Sequence, residues 1–387
     1  MQKVLFVENT AVYIANTRLK DQLGGDGDTG NRPILSLPTI GTYTPGSDIS
    51  DTDLTATNEQ LSIATWKYAS VYVDDTDLKQ NYYGAAEESA RRMQQQHNNV
   101  IEQAVMTEVT NATHTVDAGS LGGSSGSNIS LNTDNIPQVF TAAHTKLYSV
   151  DAPMGNRIAV IGAHFLETLR LQQAGRPTSL GDQVNANGVV GPLFGWQIVY
   201  NNNLRYSATL TMSTNPSDGD TVTIAGVVFT FRTTQGALAG SVNICSDAAH
   251  SVTNFVAFLN APTTTVAEST DAGYNALSGA DAFIMQKRGI VATDNTTTIG
   301  IVGYGDIVVS ETLTAAANVW SAQLQDSLFT IKGSIDLVVQ IPPKVEVTRV
   351  EKRFGERVKS LSGYGKKTFA DGAREMVRVK IDASAWA

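Results

Sequence analysis

The chain has 387 residues, 42% of them apolar and 17% charged, with a formal net charge of −9. That length allows two or three folding units and a sizeable core. The acidic balance excludes tight bulk binding of duplex phosphates, the lone Cys245 excludes a disulfide framework within the chain, and no apolar run reaches the ~18 residues of a membrane-crossing helix.

Met1–Thr10 lacks a cationic start followed by a long apolar run, so it does not read as a secretory signal. Residues 1–20 read as an extended arm, and the chain as a soluble protein made in the cytosol. Residues 21–60 form a long polar connection punctuated by Gly24, Gly25, Gly27, Gly30, Pro33, Pro38, Gly41, Pro45 and Gly46, with Asp48, Asp51 and Asp53 near its end. A connection of this length inside a compact domain is uncommon and usually functional or disordered. It carries Ile34, Leu35, Leu37, Ile40 and Tyr43, apolar teeth that expect something outside the monomer to pack on. Residues 61–74, rich in β-branched and aromatic types, predict a long strand, which with residues 33–45 makes a hairpin-like projection.

Residues 76–115 predict one long helix. Asp74, Asp75 and Thr76 supply a cap and a negative start, and apolar positions recur at Leu78, Tyr82, Ala85, Met93, Val100, Ile101, Ala104, Val105 and Val109. At ~1.5 Å per residue such a helix spans about 57 Å. Its narrow stripe predicts one face on a sheet and the rest polar. Residues 118–128, Gly/Ser-rich, predict a flexible connector. Residues 134–149 predict a helix with Pro137 in its first turn, residues 157–162 a buried strand, and residues 163–173 a short helix ended by Gly175 and Pro177. Residues 193–200 predict a strand, followed by Asn201, Asn202 and Asn203.

From about residue 207 the composition becomes Thr/Gly-rich. Strands are predicted at 209–213, 220–224, 227–232 and 242–245, with a tight turn at Ala225-Gly226. A helix follows at 248–260, with Val252, Phe255, Val256 and Leu259 on one face, and further strands run to about 310. The stretch reads as a self-contained inserted α+β module. Strands return at 335–341, 345–352 and 374–381, with a Gly-Tyr-Gly turn at Gly363–Gly365. Residues 1–80 hold 11 acids and 6 bases, whereas residues 343–380 hold 11 bases and 5 acids. Attraction between the front of one copy and the tail of another is one reading of this asymmetry, a solvated strand pair the other.

Motifs for chemistry lack their context. Gly122-Gly-Ser-Ser-Gly126 fits the nucleophile-elbow spacing but sits in a Gly/Ser run without the strand and helix that Ser124 needs. Asp26 and Asp28 begin a calcium-loop pattern that no bidentate Glu completes. His97, His114, His144, His164 and His250 show no metal spacing, and Cys245 reads as a small buried hydrophobe in a strand. Gly300–Gly305 resembles a nucleotide loop but no helix follows. Trp66, Tyr68, Tyr72, Tyr82 and Tyr83 form an aromatic set. Because its surroundings are acidic, it reads as packing between strand and helix rather than a base-stacking platform. No catalytic, cofactor or metal residue is assigned.

The order of arm, long Gly/Pro-rich loop, very long helix, compact α/β middle and closing strands resembles the major capsid proteins of tailed bacteriophages, the Hong Kong 97-type fold. Residues 61–77, with Trp66-Lys-Tyr68 before Val73-Asp-Asp-Thr-Asp77, look like the E-loop return running into the spine helix. Residues 142–161 look like the A-domain helix, its Pro-Met-Gly-Asn-Arg turn and central strand. Residues 195–203 look like a later A-domain strand, and Tyr364–Gly372 with Met376–Ile381 like the closing P-domain strands. The resemblance covers residues 1–205 and 312–387, and implies an N-terminal arm (1–20), E-loop (21–75), spine helix and connector (76–127), A-domain (128–206), inserted domain (207–311), A-domain return (312–344) and P-domain strands (345–387). It implies a non-enzymatic coat protein, assembled in the host cytoplasm into hexamers and pentamers of an icosahedral virion shell around double-stranded DNA. Scaffold, portal and decoration proteins are its further partners, with no cofactor and no membrane. Ile34, Leu37, Ile40 and Tyr43 in the loop and Trp66 at its base are the expected inter-subunit contacts. An encapsulin-like compartment or other virion protein is the alternative within this class; a β-rich hydrolase or a carbohydrate-binding adhesin are the alternatives outside it.

Overall fold

In the computed structural model the described residues are 10–23, 27–80, 85–175, 191–351 and 353–384. Two short helical turns, α1 (Ala11–Ile14) and α2 (Lys20–Leu23), flank strand β1 (Ala15–Asn16). Strands β2 (Thr29–Leu35), β3 (Ala56–Ser62) and β4 (Thr65–Asp74) lead to helices α3 (Asp75–Gln80) and α4 (Ala85–Thr107). Then come β5 (His114–Val116), α5 (Ile136–Tyr148), β6 (Arg157–Ile161), α6 (Ala163–Ala174), β7 (Gln197–Tyr200) and β8 (Arg205–Thr211). The Thr/Gly-rich stretch holds β9 (Thr221–Ile224), β10 (Val227–Arg232), β11 (Ser241–Asn243), α7 (Ala248–Asn260), β12 (Val266–Ser269), β13 (Ala272–Tyr274), α8 (Gly279–Lys287), β14 (Val291–Asp294), β15 (Thr298–Tyr304) and β16 (Val309–Glu311). The chain closes with β17 (Trp320–Ile331), β18 (Ile335–Arg349), β19 (Gly355–Lys367), α9 (Ala370–Arg374) and β20 (Met376–Asp382).

Among the described residues these elements form two units, one within Ala15–His97 and Ile335–Phe369, the other within Asn98–Ser334 together with residues 10–14 and 370–384. In the second unit β14-β15-β8-β17-β20-β5 form one path, and β17 also pairs with β6, which carries β7. A separate sheet runs β12-β13-β11-β10-β9-β16. One core gathers Phe140, Phe165, Trp196 and Phe329 over β6 and β20; another gathers Phe229, Phe231, Phe255 and Phe258 with Tyr206 and Trp320. Residues 207–311 are therefore not closed on themselves. β8 pairs with β15 from Arg205↔Tyr304 to Thr211↔Thr298 and also with β17, so the stretch lends three strands to the larger sheet. The physical reason is β8 itself: in a strand whose alternate residues Tyr206, Ala208 and Leu210 are buried, the backbone N–H and C=O groups lie away from water and are paired along both edges.

The predicted α7 and the Ala225-Gly226 turn are present, the turn with both φ values left-handed, 53° and 83°. Helix α8 was not predicted, because only Ala282 and Met285 on it are buried; its signal was Ser278, whose hydroxyl accepts from Asp281 N at 3.2 Å.

The helix predicted for 76–115 ends at Thr107 and tightens into a 3-10 turn, Glu108–Asn111; Tyr82 lies outside the described residues. Past it His114–Val116 pair with β20, the β-branched Thr115 and Val116 favouring a strand. Residues 118–128 are not a loose connector. Asp117 accepts from Ser120 N (3.0 Å) and Gly126 N (2.6 Å), and a Cβ on Gly119 would stand 2.6 Å from Ser125 Cα. The glycines permit close packing of a folded turn.

In the other unit β2 and β3 pair antiparallel from Thr29↔Ser62 to Leu35↔Ala56. The order β1-β18-β19-β4 makes its sheet. The two strands predicted at 335–341 and 345–352 are one, β18, with irregularities around Ile341–Lys344 where Pro342 and Pro343 cannot donate to the ladder. Gly363–Gly365 is not a turn but the middle of β19. A Cβ on Gly363 would stand 2.3 Å from Trp66 Cζ3, and one on Gly365 would stand 2.5 Å from Ser62 O, so both glycines serve close approach. The core here is small: Leu19, Leu23, Leu61, Ile63, Val338 and Phe369.

Candidate assembly surface

The β2–β3 ladder stops at Leu35↔Ala56, and residues 36–55 continue beyond it as a tip. Among the described residues the tip is tied only to itself: Ser36 N donates to Thr55 O (2.8 Å) and Ser47 Oγ to Thr44 O (2.7 Å). With no core beneath it, Leu37 is 92% and Ile40 96% exposed, Tyr43 63% and Ile34 38%. Ile49 and Leu54, which sequence reasoning did not select, are exposed as well. The tip carries Asp48, Asp51 and Asp53 and no basic residue. Ile34, Leu37, Ile40 and Tyr43 thus share one projection. Trp66 does not; it lies on β4 over Gly363 and is half exposed.

Side chains alternate across a sheet, and the register of β4, β19 and β18 puts Tyr68 and Ser70 beside Leu361 and Lys359, and these beside Lys344 and Glu346. Together with Ile341 and Arg357 they line a depression of about 510 Å³. Tyr68 is 82% exposed. Lys344 Nζ lies 3.2 Å and Lys359 Nζ 3.4 Å from Glu346, and the Lys344 hydrogen bond holds the Glu346 carboxyl below its ordinary range. One carboxylate against three cations leaves this face positive. Its sequence signal was the alternation Arg357-Val358-Lys359-Ser360-Leu361, outward and inward by turns. On the inward side His97 of α4 is buried between Ser360 Oγ and Ser362 Oγ, 2.8 Å from each.

The aromatic set does not pack between strand and helix as expected: Trp66 and Tyr68 face outward, Tyr72 Oη donates to Phe354 O at 2.9 Å, and Tyr82 and Tyr83 lie outside the described residues, as do Met1–Asn9, Asp26 and Pro177. Cys245 is buried just past β11, and burial raises its thiol pKa. Gly300 and Gly303 lie within β15. Among the described residues, no group of three or more His, Cys, Asp or Glu stands close enough to hold a metal ion.

No protein-family model matches the chain, and no curated protein matches it. Solved structures do. The chain is similar to one of Mycobacterium phage Che8 (14% identity, TM-score 0.56, 98% of this chain and 93% of that one). It is also similar to one in the capsid structure of the Cyanophage P-SCSP1u (11%, 0.53, 98% and 89%) and to one of the mature capsid of bacteriophage PhiM1 (11%, 0.50, 98% and 89%). The fold is thus established over nearly the whole length: α+β, of the Hong Kong 97 capsid type.

Proposed function

We propose that this chain is the major capsid protein of a tailed bacteriophage, whose work is assembly rather than catalysis. The observation that carries the reading is the 36–55 tip, a projection with exposed Leu37, Ile40 and Tyr43 on a chain of capsid fold. Such side chains gain ~1.5–3 kcal/mol each when fully buried, and a monomer that leaves them in water gains it only from another copy. The E-loop is then residues 21–75, with Ile34, Leu37, Ile40 and Tyr43 as its contacts and Trp66 on the sheet near its return. The positive, partly apolar sheet face of a neighbouring copy suits the acidic, apolar tip. Residues 1–20 serve as the arm, 76–127 as spine helix and connector, 128–206 with 312–344 as the A-domain, 207–311 as its insertion and 345–387 as the closing P-domain strands.

Repeated contacts of this kind build hexamers and pentamers of a shell in the host cytoplasm, multivalency making many weak joints strong. The net charge of −9 suits a wall that encloses duplex DNA without gripping it. Scaffold, portal and decoration proteins are the partners such a shell meets.

The test replaces residues 36–55 by a short Gly/Ser turn, which keeps the β2–β3 ladder. Negative-stain microscopy and light scattering should then show soluble monomers or capsomers and no closed particles. Normal shells from this variant overturn the reading. Nuclease-protected DNA within particles from infected cells separates a phage coat from a compartment shell.

A further inference from the structure

His144, on α5, lies between Arg157 and the left-handed Phe194. Its ring stacks on Tyr148 (centroids 5.6 Å apart) and leans on Trp196 (5.0 Å). Nε2 meets Phe194 O, and Nδ1 meets Arg157 Nη1. A guanidinium only donates, so Nδ1 is the acceptor, and Nε2 carries the hydrogen given to the Phe194 carbonyl. Arg157 is 2% exposed. Its Nε donates to Pro153 O (3.1 Å) and Nη2 to Ala152 O (3.3 Å), and its plane covers the Tyr148 and Trp196 rings at 4.8 and 5.8 Å. Among the described residues no carboxylate bonds to either side chain. His144 is thus the one side-chain acceptor that Arg157 has there.

Asp151 (φ 55°), Asn156 (φ 54°) and Phe194 (φ 50°) are left-handed without being glycine; Asp and Asn adopt that conformation readily, whereas a bulky Phe keeps it only where surrounding contacts hold it. Arg157 holds the turn containing the first two, and His144 holds the third. From Phe194 the chain runs through the paired Leu193 and Trp196 into β7, whose residues Gln197–Tyr200 add to β6 in parallel.

We infer that His144 is an acid-sensitive latch: neutral, it completes the partners of Arg157 and fastens the 193–196 turn; protonated, it sets an N–H against a guanidinium N–H and releases that turn and the β7 edge. The charged group facing it is Arg157 of β6; Tyr148 from its own helix and Trp196 ahead of β7 cover the ring faces. Burial first, then Arg157, lowers its pKa, against the opposing pull of the Phe194 hydrogen bond, so the neutral form is the resting one. The latch is independent of how copies assemble.

Hydrogen exchange of the full-length chain tests it, with amide rates corrected for their intrinsic pH dependence. Between about pH 7.5 and about pH 5, exchange at residues 193–200 should rise about tenfold in the wild type. It should stay flat in His144→Gln, whose carboxamide accepts from Arg157 and donates to Phe194 without titrating. An unchanged wild type, or an equal rise in the variant, overturns the latch. Should the variant fail to fold, the nitrogen shifts of His144 in the wild type decide: a hydrogen on Nε2 at neutral pH supports the latch, and one on Nδ1 refutes it.

Discussion

Replacing Leu37 and Ile40 by serine separates folding from assembly. Both side chains are almost wholly in water in the monomer, so the double substitution removes no packing from the folded chain, and its unfolding free energy should stay within ~0.5 kcal/mol, as for ordinary surface changes. In a shell the same side chains are proposed to be covered. Full burial of two such residues is worth roughly 3–6 kcal/mol at ~1.5–3 kcal/mol each, and interface ordering and imperfect coverage remove part of it. Taking half as the net, roughly 1.5–3 kcal/mol per joint weakens each contact by about ten- to hundredfold, compounded over every joint of a particle. The assay pairs urea unfolding of dissociated chain with light scattering under assembly conditions. The expected result is an unchanged unfolding midpoint with the critical concentration for particles raised at least tenfold. An unfolding free energy lowered by several kcal/mol would show that the tip packs within its own monomer, and unaltered assembly would show that the tip is idle; either refutes the reasoning.

Three further substitutions probe the described contacts. Gly363→Ala puts a methyl into the Trp66 ring, so thermal unfolding should show a loss of about 1–3 kcal/mol and Trp fluorescence a shift. Asp326→Ala should cost roughly 3–5 kcal/mol in chemical denaturation, because its fully buried carboxylate is shared by Arg205 Nη1 (3.0 Å) and Arg378 Nη2 (3.0 Å) and both guanidinia would lose it. Burial holds His97 below its ordinary value of 6.5, so the unfolded chain binds the proton more readily and the stability linked to this group is complete above about pH 6.5 and lost as pH falls below it. Urea midpoints measured between about pH 8 and about pH 5 should therefore drop more steeply in the wild type than in His97→Gln.

Elements with a strong local signature were legible in the sequence. Pro137 at the start of α5, the alternation in β9 and β10 and the one-sided apolar face of α7 each reflect physics contained within a dozen residues. So does the exposed tip, because apolar teeth in a Gly/Pro-rich loop have nowhere local to go. The misread segments depend on distant residues. Gly363 looks like a turn until Trp66, far off in sequence, is laid on it. Residues 118–128 look loose until Asp117 closes on Ser120 and Gly126. The sheet face of Tyr68, Leu361, Lys359 and Lys344 exists only once three strands are in register, which no single-strand pattern specifies.

The polar side of α4 shows the same ambiguity at its sharpest. Asn99, Gln103 and Thr107 recur every fourth residue, a stripe that suits solvent as well as it suits a partner. Asn99 and Gln103 are instead buried, and both side-chain amides donate to Lys287 O, at 3.1 and 2.9 Å, while Thr107 Oγ1 meets Tyr304 Oη at 2.7 Å. The acceptor explains the choice. Lys287 is the last residue of α8, and a carbonyl at a helix C-terminus has no partner within its own helix. About 100° round the helix from Gln103, Glu102 is buried among donors alone: Thr10 N at 2.7 Å, Asn201 Nδ2 at 3.1 Å and Asn203 Nδ2 at 3.2 Å. Both faces obey one rule, that a buried polar group is matched to a group of opposite role. Such matching is a property of pairs, so buried and partnered residues such as Asn99, Glu102 and Gln103 read, from the sequence alone, the same as ones lying in water.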